Sequence, residues 1–181
     1  MLRLNIGCQN NSSGSLPDWK TVDRENADYI TDLSNCFNEW GEVSSLYGQA
    51  DEILASHILG LLTREKGKWF LSNCYQLLKP GGVLHIATPD LDSFADSLLS
   101  APVNTQSAST GHSWGNLEGF GSLSTKEFTE HTKQKYIYSQ DSLIYRLSFT
   151  GFVNVQRSYF SNIHNPEYRA ISLYMTAQKA M

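Results

Sequence analysis

The stretch that decides the fold runs from residue 78 to residue 87: Leu78-Lys79-Pro80-Gly81-Gly82-Val83-Leu84-His85-Ile86-Ala87. Its first half ends a helix, because proline and glycine disfavour helix continuation, and its second half is an apolar run typical of a buried strand. A second apolar run, residues 2–6, comes directly before Gly7, where a strand would pass to a helix. Two such strand ends indicate an α/β sheet with a ligand site along one edge.

Working outward from this stretch, apolar patterns predict strands at residues 21–23, 27–30 and 50–56 and a helix over residues 63–79. Ser139 begins a second predicted helix as its N-cap, and Gly151 ends it.

Two half-buried strands close the chain, one around Val153 and Val155 and the other around Leu173 and Met175. They lie too close in sequence for a helical crossover of a dozen or more residues, so we expect them to pair antiparallel. The predicted sheet is therefore mostly parallel, with one antiparallel edge strand.

Length and composition favour one folded domain over residues 1–181, because 181 residues with 40% hydrophobic and 18% charged side chains can bury a single core. Within it, residues 100–130 are rich in Ser, Thr, Gly and Asn and show no clear period. A connection of that length is typical of a functional insert or lid.

Charge and composition also exclude some partners. The net charge of −4 argues against a nucleic-acid partner, because phosphate neutralisation needs surplus Lys and Arg. No apolar run approaches the roughly 20 residues of a membrane span, and no secretory leader pattern is present. Three widely spaced cysteines (Cys8, Cys36, Cys74) fit neither a disulfide framework nor a zinc site, so we expect a cytoplasmic protein and no bound metal.

Polar residues follow the predicted strands, at the edge where an open α/β sheet binds its ligand. Gly7 permits close approach of a ligand to the backbone. Asp23 ends the second strand, where a carboxylate can accept hydrogen bonds from both hydroxyls of a ribose. Asp32 with Leu33 ends the third strand, where an acceptor could meet an adenine amino group. Ser56 and His57 follow the fourth.

Five short motifs, taken in order, resemble one known family. They are Asn5-Ile6-Gly7-Cys8, Thr21-Val22-Asp23, Thr31-Asp32-Leu33, Ala55-Ser56-His57-Ile58-Leu59 and Leu77-Leu78-Lys79-Pro80-Gly81-Gly82. The set is similar to the class I methyltransferases that depend on S-adenosylmethionine (SAM), above all to a small bacterial subgroup that often begins at its first strand. The likeness covers residues 2–92 and resumes at residues 138–151 and 171–179.

The resemblance implies a Rossmann-like fold with seven strands, helices on both faces and SAM across the ends of strands one to four. S-adenosylhomocysteine (SAH) would be the product. The implied cofactor-binding residues are Asn5, Gly7, Cys8, Gln9, Asp23, Asp32, Leu33 and Ser56. For an oxygen acceptor, His57 is the best placed catalytic base because its pKa lies near neutrality. The competing interpretation is that His57 only packs or hydrogen-bonds at a strand end.

Two departures from the family pattern keep two functions open. The cofactor loop usually reads Gly-Cys-Gly, whereas this chain has Gly7-Cys8-Gln9, and a side chain there could crowd the methionine portion of SAM. The fourth strand usually ends Ser-His-X-Leu-Glu-His, whereas Gly60 and Leu61 replace the acid and the second histidine.

The first hypothesis is a SAM-dependent methyltransferase with a small-molecule or sugar-like acceptor, and the resemblance points towards glycan precursors. The alternative is a catalytically inactive binding module that has lost or altered SAM binding and takes another adenosine compound or a protein partner. A nicotinamide oxidoreductase is disfavoured because the first turn lacks Gly-x-Gly-x-x-Gly. A nucleic-acid methylase is disfavoured because no Asn/Asp-Pro-Pro-Tyr/Phe motif follows the fourth strand.

Overall fold

A computed structural model of the chain contains one seven-stranded sheet and describes residues 1–7, 16, 18–33, 40–100, 134–161, 163 and 172–181. The strands are β1 (Arg3–Ile6), β2 (Trp19–Asp23), β3 (Tyr29–Ile30), β4 (Ala50–Ser56), β5 (Leu78–Pro89), β6 (Phe152–Arg157) and β7 (Ser172–Lys179). The helices are α1 (Arg64–Leu77), α2 (Leu91–Ser100) and α3 (Gln140–Thr150), with short 3₁₀ helices at Gly41–Leu46 and Leu59–Leu61. Apart from its first residue, the predicted insert lies outside the described residues.

The strands are ordered β3-β2-β1-β4-β5-β7-β6 across the sheet. Strands β3, β2, β1, β4 and β5 are parallel, whereas β7 runs antiparallel to both of its neighbours, β5 and β6. The mostly parallel sheet with a reversed strand at one end is therefore confirmed, as is the antiparallel pairing of the last two strands. The reversed strand is β7, and β6 takes the edge.

Local capping explains why α1 and α3 begin where the sequence predicts. The Thr63 hydroxyl accepts a hydrogen bond from Lys66 N at 3.4 Å, and the Ser139 hydroxyl accepts one from Ser142 N at 3.3 Å. At the far end of α3, Gly151 has a φ of 107° and donates its N–H to the Leu147 and Ser148 carbonyls. Only a residue that tolerates the left-handed region can close a helix in this way.

Helix α2 was missed in the sequence, although its cap was visible there. Asp90 follows β5 directly, and its carboxylate accepts hydrogen bonds from Asp92 N at 3.1 Å and from Ser93 Oγ at 3.2 Å. An acid directly before Leu91-Asp92-Ser93 is a recognisable helix start. Among the residues that the structure describes, no helix is both long enough and apolar enough to cross a membrane.

The main core lies on one face of the sheet, where α1 and α3 supply the other half of the packing. The contributing side chains are Leu4, Ile6, Ile53, Ala55, Leu84 and Ile86 from the strands, Phe70, Cys74 and Leu77 from α1, and Leu143 and Leu147 from α3. These strand residues alternate along each strand, so the residues between them point to the opposite face. The residues that enter this core therefore show on which face of the sheet each residue of β1, β4 and β5 lies.

On the opposite face, three charged or titratable side chains form a polar row across β1, β4 and β5: Arg3, Glu52 and His85. Arg3 NH2 lies 3.1 Å from Glu52 Oε1, and His85 Nε2 lies 3.3 Å from Glu52 Oε2. Burial lowers the pKa of His85, while the Glu52 carboxylate partly opposes that shift and the Arg3 guanidinium adds to it. His85 is therefore favoured in its neutral form at neutral pH.

The polar row predicts a loss of stability on the acid side. The pKa of His85 is lower in the folded chain than in the unfolded chain. Its contribution to the free energy of unfolding is therefore fully present above about pH 6.5 and is lost as the pH falls below that value. We expect His85→Gln to remove that part of the decline in the free energy of unfolding, measured by urea denaturation at several pH values. If the free energy of unfolding depended on pH in the same way in both proteins and differed only by a constant, the acid-side loss would not come from His85.

Candidate functional site

The candidate site lies at the carboxyl edge of the sheet, defined as the edge where β1 to β5 end. Gly7 follows β1, Asp23 ends β2, His57 follows β4 and Asp90 follows β5. Because these strands are parallel, all four residues come to the same edge although they are far apart in sequence. In open α/β sheets this edge is where ligands bind.

Two features of the structure require glycine at position 7: its backbone conformation and the side chain that lies next to it. Its φ is +75°, and its N–H donates to the Val22 carbonyl at 2.9 Å. A β-carbon at this position would lie 2.9 Å from both Cβ and Cγ1 of Ile58. The sequence suggested close approach of a ligand as the reason for glycine. The structure adds a protein contact, which joins the ends of β1 and β4.

Asp23 and Asp32 are brought near each other at the ends of β2 and β3. Asp23 is half-buried, and its Oδ1 accepts a hydrogen bond from Arg24 N at 2.7 Å. Asp32 is exposed, and its Oδ1 lies 3.8 Å from Arg24 Nε. Leu33, by contrast, packs in the core at 4% exposure. Arg24 thus meets both carboxylates at the β2–β3 end of the carboxyl edge, Asp23 through its backbone N–H and Asp32 through its side chain.

His57 is held from two sides where β4 ends. Its φ is +57°, unusual for a residue with a side chain, and its N–H donates to the Ala87 carbonyl at 2.8 Å. Its Nε2 lies 2.9 Å from the hydroxyl of Ser172, the first residue of β7. The backbone of residue 57 is therefore tied to β5, and its imidazole reaches across the end of β5 to the first residue of β7.

The remaining predicted residues fall into two groups. Ser56 is half-buried at the end of β4, and Asn5 is half-buried on the face of β1 opposite the core. Cys8 and Gln9 lie outside the described residues. The described parts of the chain contain no group of three or more His, Cys, Asp or Glu side chains arranged to hold a metal ion.

Sequence reasoning did not identify the ion pair that closes the β5 end of this edge. Asp90 is 4% exposed, and Arg157 NH2 from β6 lies 3.3 Å from its Oδ2. The same guanidinium donates to Gln140 Oε1 at 3.3 Å. No local signal links Arg157 to Asp90, because the pair forms only once β6 has been placed beyond β7.

Residues 134–138 are also seated at the carboxyl edge. Lys135 N and Tyr136 N donate to the Gly60 carbonyl at 2.7 and 3.2 Å, and Leu91 N donates to the Tyr138 carbonyl at 3.0 Å. Tyr138 is 1% exposed, and burial raises its pKa to about 12. This segment therefore connects the residues after β4 with those after β5.

No protein-family model matches the chain, and no curated protein matches it in sequence. Solved structures do resemble it. A SAM-dependent methyltransferase from Archaeoglobus fulgidus superposes with a TM-score of 0.58 at 17% identity, over 98% of this chain and 85% of the other. The CurJ carbon methyltransferase superposes with a TM-score of 0.55 at 18% identity, over 100% of this chain and 49% of the other.

This protein has the class I SAM-dependent methyltransferase fold. A Burkholderia thailandensis 1,6-didemethyltoxoflavin N1-methyltransferase, solved with SAH and its acceptor, also shares the methyltransferase fold, with a TM-score of 0.52 at 18% identity. That superposition covers 99% of this chain and 71% of the other, whereas this chain spans about half the length of the CurJ protein. The predicted Rossmann-like methyltransferase fold is confirmed.

The contact between Gly7 and Ile58 predicts that two glycine substitutions differ in cost. Gly48 has a φ of +73° with nothing within 4 Å of an added β-carbon, so it is a matched control for backbone strain alone. We expect Gly48→Ala to cost about 1–2 kcal/mol. Gly7→Ala should cost about 1–3 kcal/mol more, because it also overpacks against Ile58. Urea denaturation measures both, and equal costs would show that Ile58 does not restrict position 7.

Proposed function

We propose that this protein is a SAM-dependent methyltransferase that acts on a small-molecule or sugar-like acceptor. The observation that carries the proposal is the position of Asp23 at the end of β2, beside Gly7 after β1, in a sheet that shares the fold of SAM-dependent methyltransferases. Between β1 and β4 the chain changes direction across the sheet, and open α/β sheets bind ligands at such a switch point.

The residues at this edge fit a cofactor containing adenosine. Asp23 presents a half-buried carboxylate, which can accept hydrogen bonds from two ribose hydroxyls. Asp32, exposed at the end of β3, can accept one from an adenine amino group. Gly7 lies between these two aspartates and β4, and its backbone carries no side chain that would cover it. We also assign Asn5, Cys8, Gln9, Leu33 and Ser56 to the cofactor site.

When bound, SAM supplies a methyl group on a sulfonium that carries its own leaving group. The protein therefore has to orient the acceptor and, for a hydroxyl acceptor, to take up one proton. His57 can take that proton, because a neutral imidazole has one ring nitrogen that accepts a proton. The Ser172 hydroxyl, 2.9 Å from Nε2, holds the ring in place for this role.

The second candidate function is a binding module of the same fold that transfers no methyl group. It is favoured by the residues after β4, where Gly60 and Leu61 stand in place of an acid and a histidine. Such a module would bind an adenosine compound through Asp23 without a reaction at His57. A protein partner is its other possible ligand, and only the first function predicts turnover.

We expect isothermal titration to detect binding of SAM and SAH, and Asp23→Ala to weaken both about 10- to 100-fold, because a charged acceptor is worth about 1.5–3 kcal/mol. Glu42→Ala, which removes an exposed carboxylate from the 3₁₀ helix Gly41–Leu46, is the control and should leave both affinities unchanged. Absence of binding to the unmodified protein at millimolar ligand would overturn the proposed function.

A further inference from the structure

The outer surface of helices α1 and α3 carries two exposed aromatic rings beside a cation. Tyr145 and Phe149 lie one helical turn apart on α3, are 63% and 65% exposed, and stack with their ring centres 6.0 Å apart. Lys68 of α1 places its Nζ 5.7 Å from the centre of the Phe149 ring. An ammonium group over a ring face is attracted to it, so this contact joins the two helices at the surface.

The positive charges of the described residues divide into two groups. Those with a carboxylate partner lie on a strand or directly after one: Arg3, Lys20, Arg24, Lys79 and Arg157. Lys179 of β7 donates to the Leu78 carbonyl at 2.7 Å. In the part of the chain that the structure describes, the Lys and Arg side chains with neither a carboxylate nor a carbonyl partner are Arg64, Lys66, Lys68, Lys135 and Arg146. All five lie on α1, on α3 or in the segment before α3, although the whole chain has a net charge of −4.

Two of these unpaired cations meet between the helices. Tyr138 is buried with its hydroxyl next to α1, where it would lie 3.1 Å from a β-carbon on Gly67. Burial raises the pKa of this hydroxyl to about 12, and the guanidinium groups of Arg146 and Arg64 both oppose that rise, which places both of them near it. We use the name aromatic–basic face for the surface formed by Arg64, Lys68, Tyr145, Arg146 and Phe149.

We propose that the aromatic–basic face binds a protein partner whose contact surface is an apolar pocket bordered by Asp and Glu side chains. Aromatic and arginine side chains are the types that are enriched in protein–protein interfaces and among the residues that dominate their binding energy. The partner's carboxylates would complement cations that have no carboxylate partner in this chain, and its pocket would cover the two stacked rings. The inference does not rest on the proposed function, because it uses neither Asp23 nor His57.

Two carboxylates on the same helices favour a protein over an anionic membrane or a nucleic acid. Glu65 on α1 and Asp141 on α3 are both exposed. A layer of anionic headgroups or a phosphate backbone presents negative charge throughout and would repel them. A protein surface, in contrast, can place a Lys or Arg opposite each carboxylate and an acid opposite each cation.

The test is the selection of binding peptides from a random peptide library displayed on phage, with the unmodified protein immobilised. We expect the enriched peptides to combine Asp or Glu with aromatic or aliphatic side chains. In fluorescence anisotropy, Phe149→Ser and Arg146→Gln should each weaken the binding of these peptides about 10-fold or more. The controls Tyr159→Ser, at an 87% exposed ring, and Lys20→Gln, at a paired cation, change the same residue types outside the two helices and should leave the affinity unchanged.

A further variant keeps the test valid if Phe149→Ser lowers the stability of the fold. Lys68→Gln leaves both rings in place and should weaken peptide binding about 3-fold or more. The inference is overturned if no peptide is enriched, if the enriched peptides lack acidic residues, or if the controls change the affinity as much as the variants do. Binding of phosphatidylserine vesicles or of duplex DNA instead of peptides, lost in Phe149→Ser and Arg146→Gln, would also overturn it, because the face would then serve a membrane or a nucleic acid.

Discussion

The backbone of Gly7 lies directly against the side chain of Ile58, and the arrangement of the carboxyl edge depends on this contact. Position 7 combines a left-handed backbone with no room for a β-carbon, because Ile58 fills the space that a side chain would need. Asp23 lies on one side of this contact, at the end of β2, and His57 lies on the other side, directly after β4. Both β2 and β4 pair with β1, so the register of the sheet sets the positions of Asp23 and His57 relative to Gly7.

The carboxyl edge is completed by residues that come from the far end of the chain. Ser172 of β7 contacts His57, Arg157 of β6 pairs with Asp90, and Gln134 packs on Gly60. Each of these contacts joins a residue after β4 or β5 to a residue beyond position 130. The half of the edge assigned to the acceptor is therefore built jointly by residues after β4 and β5 and by the second part of the chain, whereas Asp23 and Asp32, assigned to adenosine, come from the first 33 residues.

Prediction from sequence worked where the determinants are local. Helices α1 and α3 begin at Thr63 and Ser139 as expected, because an N-cap acts on residues two or three positions away. Prediction was weaker where the determinants are not local. The third strand shortens to Tyr29–Ile30, and the burial of Leu33 in the core, at 4% exposure, was not predicted.

The sequence by itself determined the order of the strands, helices α1 and α3, the class of fold and the residues that end or follow β1, β2 and β4, because periodicity, caps and strand ends depend on neighbouring residues. Only the tertiary structure decided what packs against Gly60 and what holds His57. The partner of His57 is 115 residues away, and Gln134, which packs against Gly60, also comes from the second part of the chain. Contacts over such separations arise from strand order and packing, and a missing side chain in the sequence does not reveal which distant residue fills its space.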